Sequence, residues 1–279
     1  MRDRLRVGVA QIHSLLGDVR RNLEKHLEYV ERARELGVEV LAFPELSLTG
    51  YLLRDLAYEV SDAAREALGE IAEASRGLCV LVGLVHEPRA GIYENSVAVV
   101  RDGSVAGVVS KLYLPDYGLF EESRYFREGS CSREGVFECG GWRVAPIICE
   151  DAWHPEPAEL AARRGADVVF IHASSPIRGL YGSGEANIER VWEAIAVTRA
   201  VENACYVVFA NRVGPEDEEY FWGGSMVVAP DGEVVARAKK MEEELLVADL
   251  DLYRLRASRR FSSFKRHRRD IHVVLGELD

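Results

Sequence analysis

Short apolar runs alternate along this chain with stretches whose apolar residues recur every three or four positions. That alternation restricts the fold to strands covered by helices. The run from Arg6 to Ile12 is followed by Asp18, a helix-capping residue, and then by Val19, Leu23, Leu27, Val30 and Ala33 at helical spacing, with Gly37 as a stop. Glu39 to Phe43 reads as a buried strand. Ser61 is expected to cap a second helix whose apolar face is Ala64, Ala67, Leu68, Ile71 and Ala74, with Gly77 beyond its end. Leu78 to Val85 and Ser96 to Val100 are strand-like, and Asp102-Gly103 marks a hairpin into Val105 to Ser110. The second half repeats the theme. Its strands are Trp142 to Cys149, Val168 to His172, Cys205 to Ala210 and Leu245 to Leu250, its helices Pro157 to Arg164 and Asn187 to Glu202, and Pro230-Asp231-Gly232 is the turn of a late hairpin. Hairpins among βα units imply an α/β protein with mixed sheets and helices outside. No Pro/Gly-rich linker interrupts the pattern, so residues 1–279 are expected to form a single domain.

Composition narrows the function classes. With 48% hydrophobic residues the chain can bury a large core, and a formal charge of −11 argues against general affinity for nucleic acid or anionic membrane. No apolar stretch is long enough to span a bilayer, and the N-terminal residues lack a secretory cleavage pattern, so a cytoplasmic location is expected. Five cysteines, an odd number without C-x-x-C spacing, read as reduced thiols rather than a disulfide framework or zinc site. The seven histidines show no metal-ligand spacing, so neither a metal nor another cofactor is expected.

Three strand ends carry chemistry. Cys149 closes an apolar run and is followed at once by Glu150, Asp151 and Trp153; Phe43-Pro44-Glu45 ends a second strand; Lys111 ends a third and opens a long aperiodic segment, Leu112 to Ser130. A thiol, a carboxylate and an ammonium are what attack on an amide carbonyl needs: a nucleophile, a proton carrier and a stabiliser of the oxyanion. Taken singly, each has a blander reading, since cysteines are usually inert core residues, Phe-Pro-Glu is usually a turn, and a lysine after a strand is usually solvated.

The stretches FPELSLTGY, KLYLPDYGLFEESRYF and IICEDAW together resemble, in order, the three motif blocks of the nitrilase, or carbon-nitrogen hydrolase, superfamily. Within it they are most similar to the glutaminase domain of glutamine-dependent NAD synthetases. The resemblance implies a four-layer α-β-β-α sandwich. It also implies Glu45 as general base, Lys111 as oxyanion stabiliser, Cys149 as nucleophile and a second glutamate beside them, Glu122 in preference to Glu121. By the same likeness Tyr51, Tyr117, Glu150 and Ser175 line the substrate pocket. The family's S-P-x-x-x-G-[KR] pattern breaks here, where Ser175-Pro176-Ile177-Arg178-Gly179 places Arg178 early, beside a site that would take a carboxylate.

The expected activity is cofactor-independent hydrolysis of a small non-peptide carboxamide through a cysteinyl thioester. The alternatives are a glutaminase supplying ammonia to a separate partner, a nitrilase acting on C≡N, and an inactive binding protein of the same fold. A small-molecule amide is the expected partner, with no nucleic acid and no membrane, in a homodimer or higher homo-oligomer. Residues 251–279, a basic segment with Phe261 and Phe264, are expected to form a C-terminal extension at the subunit interface. Asp151, Trp153, Asn211 and Arg212 are assigned to support, and His172 to a satisfied strand end. The glycine-rich stretch from Gly179 to Gly184 matches no nucleotide motif.

Overall fold

The structure, a computed structural model, describes residues 2–130, 135–178, 180–181 and 185–262. In the first half, strands β1 (Arg4–Gln11), β2 (Val40–Ala42), β3 (Cys79–Arg89), β4 (Ile92–Arg101) and β5 (Ser104–Ser110) are interleaved with helices α1 (Val19–Glu35) and α2 (Ala57–Ala74). A short helix α3 (Glu122–Tyr125) interrupts the loop that follows. Next come β6 (Phe137–Cys139), β7 (Trp142–Ile148), α4 (Pro155–Arg163), β8 (Val168–Ala173), the small ribbon β9 (Leu180–Tyr181) and β10 (Glu185–Ala186), and α5 (Asn187–Asn203). The chain closes with β11 (Tyr206–Asn211), β12 (Val213–Glu216), β13 (Glu219–Trp222), β14 (Met226–Val228), β15 (Val234–Arg237), β16 (Glu244–Asp251) and α6 (Leu252–Phe261).

Two six-stranded sheets result, in the orders β16-β1-β2-β3-β4-β5 and β15-β14-β11-β8-β7-β6. Each has a parallel centre (β1, β2, β3 and β11, β8, β7) and antiparallel flanks, as the mixture of crossovers and hairpins requires. Strand β2 shows how the layers are dictated by side-chain alternation: Val40 and Ala42 pack between the sheets, while Leu41 packs outward with residues of α1 and α2. On the far side, α4 and α5 contribute Ala158, Ala161, Trp192, Ala196 and Ala200 to the core of the second sheet. The layering is α-β-β-α.

Asp18 caps α1 through a bond from the Arg21 N–H, as the sequence predicts. Ser61 does not cap α2. That helix begins a turn earlier, at Ala57, straight after a turn of 3₁₀ helix, and Ser61 lies buried inside it. The segment Ala57-Tyr58-Glu59-Val60 holds no breaker, so the helix extends back through it.

The reduced-thiol expectation is also corrected. Cys79 and Cys139 form a disulfide with their Cα atoms 5.8 Å apart, leaving Cys149 and Cys205 as the free cysteines among the described residues. The partners are 60 residues apart in sequence and start from opposite sheets, so only the stacking of β3 against β6 brings them together.

The C-terminal α6 buries Leu252 and Leu255 against the sandwich, and its arginines bind this chain's own carboxylates, Arg254 with Asp231 and Arg259 with Asp167. The remainder of the 251–279 extension beyond Ser262, the glycine-rich Gly182 to Gly184 and the Cys131 segment lie outside the described residues. Among the described residues no helix is long and apolar enough to cross a membrane, and no three His, Cys, Asp or Glu side chains gather in a way that would hold a metal ion.

Candidate active site

Glu45 follows β2 in a turn pressed against β3. The Phe43 and Leu48 N–H groups bond to the carbonyls of Leu81 and Gly83, and Leu46 takes a left-handed φ of 48°. Gly83 is what permits this approach, since a Cβ there would lie 2.2 Å from the Pro44 carbonyl oxygen and 2.5 Å from the Leu46 nitrogen. Lys111 continues β5, its N–H bonding to the Asn95 carbonyl at 2.8 Å. Cys149 follows β7 with a φ of 46°, a left-handed conformation that costs a non-glycine residue about 1–3 kcal/mol and is held only where surroundings enforce it.

Asp151 supplies the enforcement. Its carboxylate accepts the N–H groups of Ile148 at 3.1 Å and of Leu112 and Tyr113 at 2.9 Å, tying the turn that carries Cys149 to the residues just after Lys111. Burial pushes its pKa up to about 6 against these three bonds.

The side chains meet at the buried end of the strands. Lys111 Nζ, with no solvent exposure, donates to Glu45 Oε1 and to Glu122 Oε1, both at 2.7 Å. Tyr51 OH donates to the same Glu122 oxygen at 2.6 Å. Of the two adjacent glutamates, then, Glu122 faces Lys111, while Glu121 is exposed at the wall of a cavity. Asn95 Nδ2 donates to Glu45 Oε1 at 2.8 Å, and the Ser174 N–H donates to Glu45 Oε2 at 2.9 Å.

These partners set the protonation states. Burial works against the Lys111 charge, but Glu122 and Glu45 outweigh it and hold the ammonium well above its usual range. Burial pushes Glu122 up to about 7, with Lys111 pulling it down and Glu45 adding to the rise. The Cys149 thiol is pushed well up by burial and then by Glu45, while Lys111 and the Ser174 N–H favour its thiolate. It is a buried thiol within the electrostatic reach of a carboxylate pair and an ammonium.

The expected pocket residues divide. Tyr51 is buried in the charged network. Tyr117 is 47% exposed and donates to Glu150 Oε2 at 2.7 Å, and the Arg178 guanidinium lies over the Phe120 ring at 4.5 Å with its Nε buried and without a hydrogen-bond partner. Ser175 is turned elsewhere: its hydroxyl accepts from Trp192 Nε1 at 2.8 Å and its N–H bonds to Asn211 Oδ1. Trp153 packs edge-on to Trp192, and His172 bonds to the Phe43 carbonyl through Nδ1, its Nε2 remaining unpartnered. Beside the network opens a cavity of about 660 Å³ walled by Tyr51, Gly118, Phe120 and Glu122 and rimmed by Asp217, Glu218 and Glu219.

Asn95, Ser174 and Glu216 were missed by sequence reasoning. Asn95 is wholly buried but stands between Glu94 and Ser96 in β4, ahead of the apolar run from Val97 to Val100, and so did not stand out in the sequence. Ser174 and Glu216 act across 129 and 165 residues of sequence and had no signal in it.

Comparison with known proteins decides the family. The carbon-nitrogen hydrolase family matches residues 6–260. The chain belongs to it. This carbon-nitrogen hydrolase is 37% identical over 255 residues to the glutamine-dependent NAD(+) synthetase of Thermotoga maritima, covering 89% of this chain and 42% of that protein. It thus spans less than half the length of such curated relatives. Among solved structures it is similar to a carbon-nitrogen hydrolase from Helicobacter pylori, with a TM-score of 0.85 and 26% identity over 96% of both chains. It is also similar to a mutant amidase from Nesterenkonia sp. bearing the acetamide moiety of fluoroacetamide at its active-site cysteine. There the TM-score is 0.80 and the identity 27%, over 96% of this chain and 95% of that one.

Proposed function

We propose that this carbon-nitrogen hydrolase is an amidohydrolase that cleaves the C–N bond of a small non-peptide carboxamide through a thioester on Cys149. The observation that carries the reading is Lys111 Nζ held at 2.7 Å from both Glu45 and Glu122 within electrostatic reach of Cys149, whose backbone is held at positive φ. Because burial and then Glu45 favour the thiol form of Cys149, its proton has to leave during attack, and in this reading Glu45, whose charge is felt at the thiol, takes it. The sulfur bonds to the carbonyl carbon, and the developing oxyanion is met by the Lys111 ammonium, a donor worth about 3–4 kcal/mol in a water-excluded site. Glu45 then passes the proton to the nitrogen, the C–N bond breaks, and ammonia or an amine leaves an acylated cysteine. Water, deprotonated by Glu45, attacks the thioester. The acid departs and the sulfur regains its proton.

A glutaminase is the second reading, with ammonia passing to a separate partner. The relatives named as glutamine-dependent synthetases favour it, as does Arg178, whose unpartnered Nε and whose charge, felt at Tyr117, suit an acyl group with a carboxylate at its far end. Ammonia release from simple amides, glutamine, N-carbamoyl amines and nitriles separates these readings from a nitrilase. Turnover of none of them by the wild-type protein, or full turnover by Cys149→Ala, overturns the proposal. The proposal extends to a homodimer built through α6, whose Tyr253 and Phe261 are 81% and 84% exposed, and light scattering that reads a monomer would remove that part.

A further inference from the structure

We infer that Glu216, held by Arg212, is a positioning residue that sets the Tyr51 phenol against Glu122 and thereby fixes the Lys111 ammonium. The inference rests on the hydrolytic reading above. Glu216 ends β12, far in sequence from the loop it grips. Its Oε1 accepts the consecutive N–H groups of Tyr51 at 3.0 Å and Leu52 at 2.6 Å. Its Oε2 takes Arg212 Nη1 at 2.7 Å, and both side chains of the pair are almost wholly buried.

Arg212 is itself immobilised. Its Nη2 donates to the Ser14 carbonyl at 2.9 Å, and its guanidinium lies over the Phe221 ring at 4.3 Å. Phe221 in turn meets the Tyr51 ring edge-on at 6.2 Å. Tyr51 is therefore held at both its backbone and its ring. Gly50, with φ at 86°, leaves no slack in the loop, because a Cβ there would lie 2.7 Å from Leu16 Cα and 3.1 Å from Glu216 Oε2. From this mount the Tyr51 hydroxyl reaches the Glu122 oxygen that also receives Lys111 Nζ.

A buried ion pair adds little stability over apolar residues of the same size, so stability alone does not account for one here. What the pair adds is direction: a charged acceptor aimed at two adjacent amides of the loop that follows Glu45. Displacements of about 1 Å in such a support are enough to cost roughly 100-fold in rate.

The test is a double-mutant cycle read in kcat, KM and melting temperature with a simple amide as substrate, using Glu216→Gln, Tyr51→Phe and their combination. An Arg212→Met/Glu216→Gln variant, which removes the pair without stranding a charge, guards against misfolding. Each change should lower kcat by roughly tenfold or more with KM within about threefold. Adding Glu216→Gln to Tyr51→Phe should lower kcat less than about twofold further, even where melting falls additively. Multiplicative losses, or an unchanged kcat in folded Arg212→Met/Glu216→Gln protein, would overturn the inference. If the wild type hydrolyses no amide, the hydrolytic reading fails by itself. The same cycle is then read in the rate of Cys149 alkylation by iodoacetamide, with the same non-additivity expected and the same multiplicativity overturning it.

Discussion

The floor of the site and its rim are built on different terms. On the floor, Lys111 is held by two carboxylates, and Glu45 by Lys111, Asn95 and Ser174, all buried, with Glu45, Lys111 and Ser174 just past strand ends, Asn95 within β4 and Glu122 on α3. At the rim, Tyr117 has one side-chain hydrogen bond, Arg178 rests on a ring, and Asp217 and Glu218 stand in solvent. A floor so heavily cross-bonded is suited to one reaction, whereas a loosely held rim is where substrate preference is set. Changes to the floor should therefore appear in kcat, and changes to the rim in KM.

The largest effect belongs to the floor. Glu45→Gln keeps the shape but removes the proposed proton acceptor, and should cut kcat by about 10³-fold. A loss under tenfold would mean that another group carries the proton.

Beneath the floor, His26 stacks on Phe43 and bonds through Nε2 to the Ser47 hydroxyl, in the turn that bears Glu45. Burial, partly offset by its bond to the Asn22 carbonyl, lowers its pKa to about 4. The unfolded chain binds this proton near pH 6.5, so the stabilising contribution of His26 is complete above that pH and is lost as pH falls towards 4. The whole-protein profile is blunted because Glu122 and Asp151, raised to about 7 and 6, gain stability over the same fall. The His26→Gln comparison isolates the histidine. The stability gap between wild type and variant in urea should shrink by roughly 3 kcal/mol from pH 8 to pH 4. A constant gap would show that His26 is not held neutral.

Gly83→Ala tests the mount of Glu45 rather than its chemistry. The added methyl meets the backbone of Pro44 and Leu46, so unfolding should become easier by about 1–3 kcal/mol, with kcat falling in parallel. Unaltered activity and stability would contradict the claimed contact. The smallest effect is expected at the rim, where Arg178→Ala should raise KM for a carboxylate-bearing amide roughly tenfold and leave kcat within about twofold. Equal loss in kcat would make Arg178 part of the floor.

The same division explains what could be read beforehand. Glu45, Lys111 and Cys149 were legible because each is a reactive residue just past a strand, β2 and β7 in the parallel centres and β5 at an antiparallel edge, and because the three stand together in the family's motif blocks. The order of strands and helices was legible in the apolar runs and the stripe of α1, whereas the four layers were implied only by the family likeness. Contacts made across the sandwich were not legible. Ser174 and Glu216 bind the site from the distant second half of the chain, and Cys79 meets Cys139 only after the sheets stack. An odd cysteine count therefore pointed the wrong way. Ser61 misled because capping chemistry matters only where a helix must begin, and α2 had already begun at Ala57.

The account stands on Cys149 becoming acylated by its substrate. Acid-quenching the wild-type protein during turnover of an amide, and weighing it intact with the adduct mapped by proteolysis, tests that directly. The account predicts one acyl group, lacking the amide nitrogen, on Cys149 and on no other residue. Steady hydrolysis with no adduct, continuing undiminished in Cys149→Ala, would contradict it.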